Sequence, residues 1–397
     1  MKILLLHTFY LQKGGEDQVF AQDQDLLSRS HEVRTLTFRN LPGWKGALQF
    51  LSSIWNISAA KRLKKVIDEF RPDVIHIHNL HFAIGPIALR VIHKAGIPMV
   101  VTLHNYRLLC PSTTLLYKGS LFTDSLKASF PLKAIANKVY RNSAFQTFWL
   151  AFVIWVHKLI GTWKMVDTYI VLTEFARNVF HGSSFGVAPE RYVVKPNFLV
   201  RTKEVQAARQ DFFLFVGRLS VEKGIHVLLE AFEHTDKRLV ILGDGPMRQE
   251  VEEACAANAH ITYAGQLDAE GVREMMRRCT ALLFPSIWYE GMPMTLLESF
   301  SAGTPVIASK IGAMETMISE GYNGLHFRSG DAGDLLARLR YWQDLSARER
   351  EQFSVNAIAT YEKLYTPDNN LERSLTIYKS IVGTKLSHDS LKQSRLC

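Results

Sequence analysis

The sequence predicts an α/β protein of two doubly wound parallel-sheet domains, and three observations carry that prediction. The 397 residues suit two or three domains. Short continuous apolar runs alternate with amphipathic stretches, the pattern of parallel strands covered by helices on both faces. The alternation halts at Pro196-Asn197 and the polar stretch Arg201–Gln210, then restarts, so a linker separates two similar units. Hydrophobic residues make up 47% and charged residues 21%, so each unit has enough apolar side chains for its own core.

The first unit opens with the apolar strand Lys2–His7, a loop containing Gly14-Gly15, and a helix with Val19, Phe20, Leu26 and Leu27 on one face. Strands follow at Val33–Phe38 and Val74–His78, then a helix over Ile84–Ala95 and strands at Met99–Leu103, Thr168–Leu172 and Arg191–Val194. In the second unit Phe212–Val216 is a strand and Ile225–Glu233 a helix. Arg238–Leu242, Ile261–Ala264, Ala281–Phe284 and Thr304–Ala308 complete a second doubly wound sheet. A helix over about Asn370–Val382 precedes a polar tail, 383–397, expected to be disordered. The expected domains are 1–199, completed by the helix at about 367–382, and 200–366. Their sheets are expected to face each other across a cleft.

Charge divides the chain unevenly. Residues 1–200 hold 24 Lys/Arg against 12 Asp/Glu, whereas residues 201–397 hold 23 against 26. A basic first half calls for an anionic partner: nucleic acid, anionic lipid or a phosphorylated substrate, unless it is only a soluble basic face. Within it, Phe145–Val156 has nine consecutive apolar residues from Phe148, too few for a bilayer span of about 20 residues. Lysines and Arg141 flank it, so it is either a core helix or a helix at the membrane interface. Cys110, Cys255, Cys279 and Cys397 form no CxxC pair, which argues against a disulfide framework or a zinc site. The amino-terminal run is too short for a signal peptide, which points to the cytoplasm.

Ligands of doubly wound sheets bind beyond the carboxyl ends of the strands. After Phe212–Val216 comes Gly217-Arg218-Leu219-Ser220-Val221-Glu222-Lys223-Gly224 and then a helix. A glycine turn, two cations and a helix start suit a diphosphate. After Ala281–Phe284 come Glu290 and Glu298, eight residues apart, with Gly291-Met292-Pro293-Met294 leading into the next helix. Paired carboxylates can hold vicinal hydroxyls of a ribose or hexose. In the first half, Gly14-Gly15 is half of a dinucleotide fingerprint, and His104 follows a strand. His76, His78 and His81 cluster after another strand but have no nearby carboxylate in sequence. Asp23-Gln24-Asp25 matches a metal-binding DxD but falls mid-helix, so no metal site is expected.

The segments GRLSVEKG, LGDGP and FPSIWYEGMPMTLLESFSAGTPVIAS, with Asn323-Gly324, resemble family 4 retaining glycosyltransferases of GT-B fold. TLHNYRLLCP at Thr102–Pro111 and YIVLTEFARNVF at Tyr169–Phe180 resemble a bacterial branch that builds capsule, exopolysaccharide or O-antigen. The resemblance implies a nucleotide-sugar donor, with Arg218 and Lys223 on its diphosphate and Glu298 on the ribose. It places Glu290 and the amides of Gly291–Met294 on the sugar, Gly14-Gly15 against the diphosphate and His104 near the reacting carbon. It implies no cofactor and no metal. The implied acceptor is a polyprenyl-diphosphate-linked or other glycan, used at the anionic inner face of the cytoplasmic membrane, with no nucleic acid partner. The chain departs from the branch at Leu121–Ser125, where many members carry two further cysteines, and at Met292-Pro293. The competing readings are an epimerase or phosphorylase on the same fold and a non-catalytic binder of nucleotide sugar or nucleic acid.

Overall fold

The computed structural model describes residues 1–11, 14–201 and 208–393, with side-chain surroundings up to residue 385. Most of the expected linker, 202–207, lies outside the described residues. The chain divides into two compact units. The first comprises Met1–Thr113, Thr123–Lys195 and Asn370–Cys397; the second comprises Thr114–Phe122 and Pro196–Asn369.

The first unit holds β1 (Lys2–Phe9), α1 (Gly15–Ser28), β2 (Glu32–Arg39), α2 (Gly43–Ser52), α3 (Ile57–Phe70), β3 (Val74–Ile77), α4 (Ile87–Lys94) and β4 (Met99–Leu103). A two-stranded hairpin, β5 (Leu116–Tyr117) and β6 (Ser120–Leu121), belongs to the second unit. The first unit resumes with α5 (Asp124–Lys127), α6 (Leu132–Ala136), α7 (Ala144–Leu159), β7 (Thr168–Val171), α8 (Glu174–His181) and β8 (Tyr192–Val194). Its sheet runs β2-β1-β3-β4-β7-β8, all parallel. Ile3 to Leu6 are fully buried because both faces of β1 are covered, so the strand needs no polar alternation. The order reverses direction between β1 and β3, which opens a crevice at their carboxyl ends.

The second unit continues with β9 (Phe213–Val216), α9 (Ile225–Phe232), β10 (Leu239–Leu242), α10 (Arg248–Ala257), β11 (Ile261–Gly265), α11 (Ala269–Arg278), β12 (Ala281–Phe284), α12 (Met294–Ser301), β13 (Val306–Ser309), α13 (Ala313–Met317), β14 (Gly324–Phe327), α14 (Ala332–Asp344) and α15 (Ala347–Leu364). The sheet order is β11-β10-β9-β12-β13-β14, again all parallel. Here the order reverses between β9 and β12. Those strands pair only through Ala281 with Phe213 and Leu282 with Leu214, then part. The core joins Phe213, Phe215, Leu228, Phe232, Leu283 and Ile307 with Trp342 and Phe353 from the two last helices of the unit.

Four features differ from expectation. Gly85 at φ +76 and the following Pro86 delay α4, so it starts at Ile87 rather than Ile84. Residues 43–70 form α2 and α3, the latter capped by Asn56, whose side chain accepts the Ala59 N–H. β14 adds an edge strand. The last helix, α16 (Pro367–Gln393), continues past Val382 instead of ending in an irregular tail; only 394–397 of that tail lie outside the described residues. Ile377 and Tyr378 of α16 are buried with Ile3, Leu5, Phe20, Val74, Val100 and Ile170 of the first unit.

Candidate active site

The second unit's crevice is built by close backbone approach. Gly224, at φ +75, lies so near the loop after β12 that a Cβ there would stand 1.9 Å from the Pro285 carbonyl oxygen. Gly243 at φ +138 likewise leaves 1.8 Å between an added Cβ and the Gly217 oxygen. Only glycine tolerates both the torsion and the proximity. The two loops are then tied together, as the Ile287 N–H donates to the Glu222 carbonyl at 3.0 Å and Ser286 Oγ lies 3.2 Å from the same oxygen.

This arrangement brings Lys223 and Glu290 into contact. Lys223 Nζ donates to Glu290 Oε1 at 2.6 Å, and Ser286 Oγ donates to the same oxygen at 2.8 Å. Glu290 is 7% exposed, and Lys223 also lies 5.5 Å from the Phe284 ring centre and 5.6 Å from that of Trp288. A carboxylate this buried requires such partners. Among the described residues both hydrogen bonds end on Oε1, which leaves Oε2 able to accept from a ligand hydroxyl. Arg218, by contrast, is exposed and has no ion-pair partner among the described residues. It lines an open depression of about 820 Å³ with Gly217, Gly243, Asp244 and Gln266.

Glu298 is half-buried on the second turn of α12, and no described side chain donates to its carboxylate. Burial pushes its pKa up, against the pull of Arg273. Only the ionised carboxylate accepts from ligand hydroxyls, so if Glu298 is to hold a ribose, nucleoside diphosphate affinity is expected to be full above this raised pKa. It should fall as pH drops through it, beginning above the ordinary carboxylate range. Calorimetric titration at successive pH values checks this, and Glu298→Gln should remove that pH dependence. One expectation for the preceding loop needs correction. Pro293 has no N–H, so only Gly291, Met292 and Met294 can donate from that segment. The Met292 side chain is buried, and its sulfur accepts the Asn197 N–H at 3.2 Å. It therefore packs the base of the loop. No side chain caps α12, whose first N–H groups stay available.

In the first unit Gly14 and Gly15 begin α1, and Asp17 accepts the Gly14 N–H at 3.0 Å. His104 follows β4, with its Nε2 3.3 Å from His78 Nδ1. Burial, then the neighbouring His78, holds the His104 pKa well below the ordinary value, so it is neutral. Behind it stands a buried polar cluster. Asp23 Oδ2 lies 3.6 Å from His78 Nε2 and 3.4 Å from Lys195 Nζ. His76 hydrogen-bonds Tyr378 Oη and Thr102 Oγ1, each at 2.7 Å.

The absence of a nearby carboxylate, inferred from sequence spacing, is thus overturned: α1 delivers Asp23 to the histidines. Ligand atoms of Asp23, His76 and His78 lie within 4.8 Å of one another. Both His76 ring nitrogens are already hydrogen-bonded, and an ammonium sits on Asp23, so a cation would have to displace those bonds.

The helix at 144–159 has two faces. Thr147, Leu150, Ala151, Val153 and His157 are buried, while Phe145 is 60% exposed and Phe148 and Leu159 are also exposed. Trp149 Nε1 donates to the Phe50 carbonyl at 2.9 Å, which seats α7 beside α2. α2 has no buried residue; it presents Trp44, Leu48 and Leu51 outward. Among the described residues no helix is long and apolar enough to cross a membrane.

Residues 7–200 match the profile of Glycosyltransferase Family 4, and residues 199–360 match that of Glycosyl transferases group 1. The chain is a glycosyltransferase of GT-B fold, made of a family 4 domain followed by a group 1 domain. It is 27% identical over 180 residues to O-antigen chain mannosyltransferase C of Escherichia coli, covering 44% of this chain and 48% of that relative. It is 25% identical over 366 residues to the α-monoglucosyldiacylglycerol synthase of Acholeplasma laidlawii, covering 83% and 86%. The crystal structure of the Anabaena protein HepE with UDP superposes with a TM-score of 0.66 at 16% identity, over 96% of this chain and 100% of that one.

Proposed function

We propose that this chain is a retaining glycosyltransferase that carries a sugar from a nucleotide sugar to a lipid-linked glycan in bacterial surface-polysaccharide synthesis. The observation that carries the reading is the bonded pair Lys223–Glu290 in the loops after β9 and β12, with Arg218 exposed on the open depression beside Gly217 and Gly243. Arg218 and Lys223 hold the donor diphosphate, Glu298 the ribose, and Glu290 with the amides of Gly291, Met292 and Met294 the sugar. Gly14-Gly15 and neutral His104 are assigned to the donor through the family resemblance. The acceptor hydroxyl attacks the sugar carbon on the face the diphosphate leaves. The bond to the diphosphate breaks, its oxygen takes the hydroxyl proton, and the cations stabilise the departing charge. No side chain serves as nucleophile and no divalent metal is needed, so transfer is expected to continue in EDTA. Loss of activity restored by manganese would contradict this.

The O-antigen relative supports a polysaccharide pathway, the glycolipid synthase a lipid acceptor, and the HepE complex a uridine nucleotide. The outward aromatic side chains of α2 and α7, together with the basic residues around α7, support attachment to the anionic inner face of the cytoplasmic membrane.

Arg218→Ala tests the donor site with little risk to the fold, because the side chain is exposed and unpaired. A charge-assisted contact contributes about 1.5–3 kcal/mol, so UDP or GDP should bind roughly tenfold more weakly or worse. The melting temperature should be unchanged. Wild-type affinity would remove Arg218 from the site.

A further inference from the structure

The first unit contains a second concavity, which shares only Gly14 with the residues assigned to the donor. This groove of about 900 Å³ is lined by Phe50 and Leu51 of α2, Phe82, Phe145 of α7, and the guanidinium groups of Arg107 and Arg141. Arg107 is only 8% exposed, yet its Nε and Nη1 have no hydrogen-bond partner among the described residues. Its guanidinium carbon lies 5.1 Å from the Tyr10 ring centre and 5.2 Å from that of Phe82. The nearby Glu16 carboxyl is pushed up to about 7 by burial, against the pull of Arg107, so it neutralises the cation only in part. Buried donors without acceptors are costly, and a buried cation more so.

The backbone of the wall points the same way. Phe82 at φ +70 and Arg141 at φ +51 adopt left-handed torsions that bulky side chains rarely take. Such strain persists where surrounding structure holds a side chain in a working position, and here it holds Phe82 against the Arg107 guanidinium.

We propose that this groove binds the phosphorylated head of the lipid-linked acceptor, with phosphoryl oxygens on Arg107 and the start of the hydrocarbon chain along Phe50, Leu51 and Phe145. A planar guanidinium matches phosphoryl oxygens in a two-point fork. The apolar part of the lining, Phe50, Leu51 and Phe145, suits a prenyl chain, and the outward side chains of α2 lie next to it. The assignment rests on the glycosyltransferase reading and names the acceptor class for it.

The test is calorimetry on the full chain with four probes: farnesyl diphosphate, inorganic pyrophosphate, farnesol and UDP. Farnesyl diphosphate should bind even with UDP saturating, about tenfold or more tighter than pyrophosphate or farnesol, because it alone has both halves. Arg107→Gln should weaken it about tenfold or more. Phe145→Ser, at an exposed position that does not threaten the fold, should weaken farnesyl diphosphate and leave pyrophosphate unchanged. Both variants should bind UDP as the wild type does. The proposal is overturned if UDP displaces farnesyl diphosphate, or if both variants bind it normally. It is also overturned if pyrophosphate binds as tightly, which would make the groove a site for a free anion. UDP binding on the same samples reports separately on the donor reading, since a wild type that binds farnesyl diphosphate but no UDP would fail that reading alone.

Discussion

Glu290→Ala is expected to slow sugar transfer about a hundredfold or more, the scale on which loss of one pre-placed polar contact depresses turnover. Nucleoside diphosphate affinity should change far less. Oε1 of Glu290 is committed to Lys223 and Ser286, so under the proposed assignment the oxygen left for the sugar is Oε2. A nucleoside diphosphate without its sugar would not use that oxygen, whereas the reacting donor would. Alanine also strips Lys223 of its carboxylate, so the melting temperature should fall. Glu290→Gln, which keeps the volume and a carbonyl oxygen for Lys223, should restore most of the stability but little of the rate. Transfer assayed by release of nucleoside diphosphate, beside calorimetry with UDP or GDP, separates the two effects. A wild-type rate in Glu290→Ala would remove this residue from the sugar site.

The second large effect concerns the membrane. Lys127, Lys133 and Lys138 are exposed beside α7, and among the described residues only Lys133 of the three has a carboxylate partner, Asp124 at 3.0 Å. Each cation near anionic lipid contributes about 1 kcal/mol, so changing all three to glutamate should abolish co-sedimentation with anionic vesicles. Arg141 is left intact because it lines the groove. In the wild type, salt should weaken attachment, since exposed charges are screened beyond about 8 Å at physiological ionic strength. A salt-resistant remainder should depend on Trp44 and Phe145. Wild-type protein that stays in the supernatant at low salt would end the membrane reading.

The two sheets could be read from sequence because parallel strands buried on both faces leave continuous apolar runs, as Ile3–Leu6 and Ala281–Phe284 do. Cations and carboxylates placed just after strands likewise stood out. Pairing across the fold could not be read. Lys223 and Glu290, 67 residues apart, appeared as two separate ligand groups, although their side chains bind each other. Asp23 was set aside as part of a mid-helix DxD, because only the folded α1 turns it toward His78 and Lys195. α2 was missed because GWKGALQFLS carries two glycines and buries nothing, so it has neither the composition nor the inward face by which a helix is recognised. For residues 145–156, weighed as core or interface, the helix has one buried face and one exposed face.

The bond between His76 and Tyr378 spans 302 residues. As the ribosome makes the chain, the first unit's sheet emerges early, but Ile377 and Tyr378, which cover it, arrive only after the whole second unit has been synthesised. The nascent first unit therefore carries an uncovered patch around Ile3, Phe20 and Val74 while some two hundred residues follow it out of the exit tunnel, at roughly 5–20 residues per second. Chaperone dependence during synthesis, and failure of fragments cut before Pro367 to fold, are therefore expected from where Ile377 and Tyr378 lie in the chain.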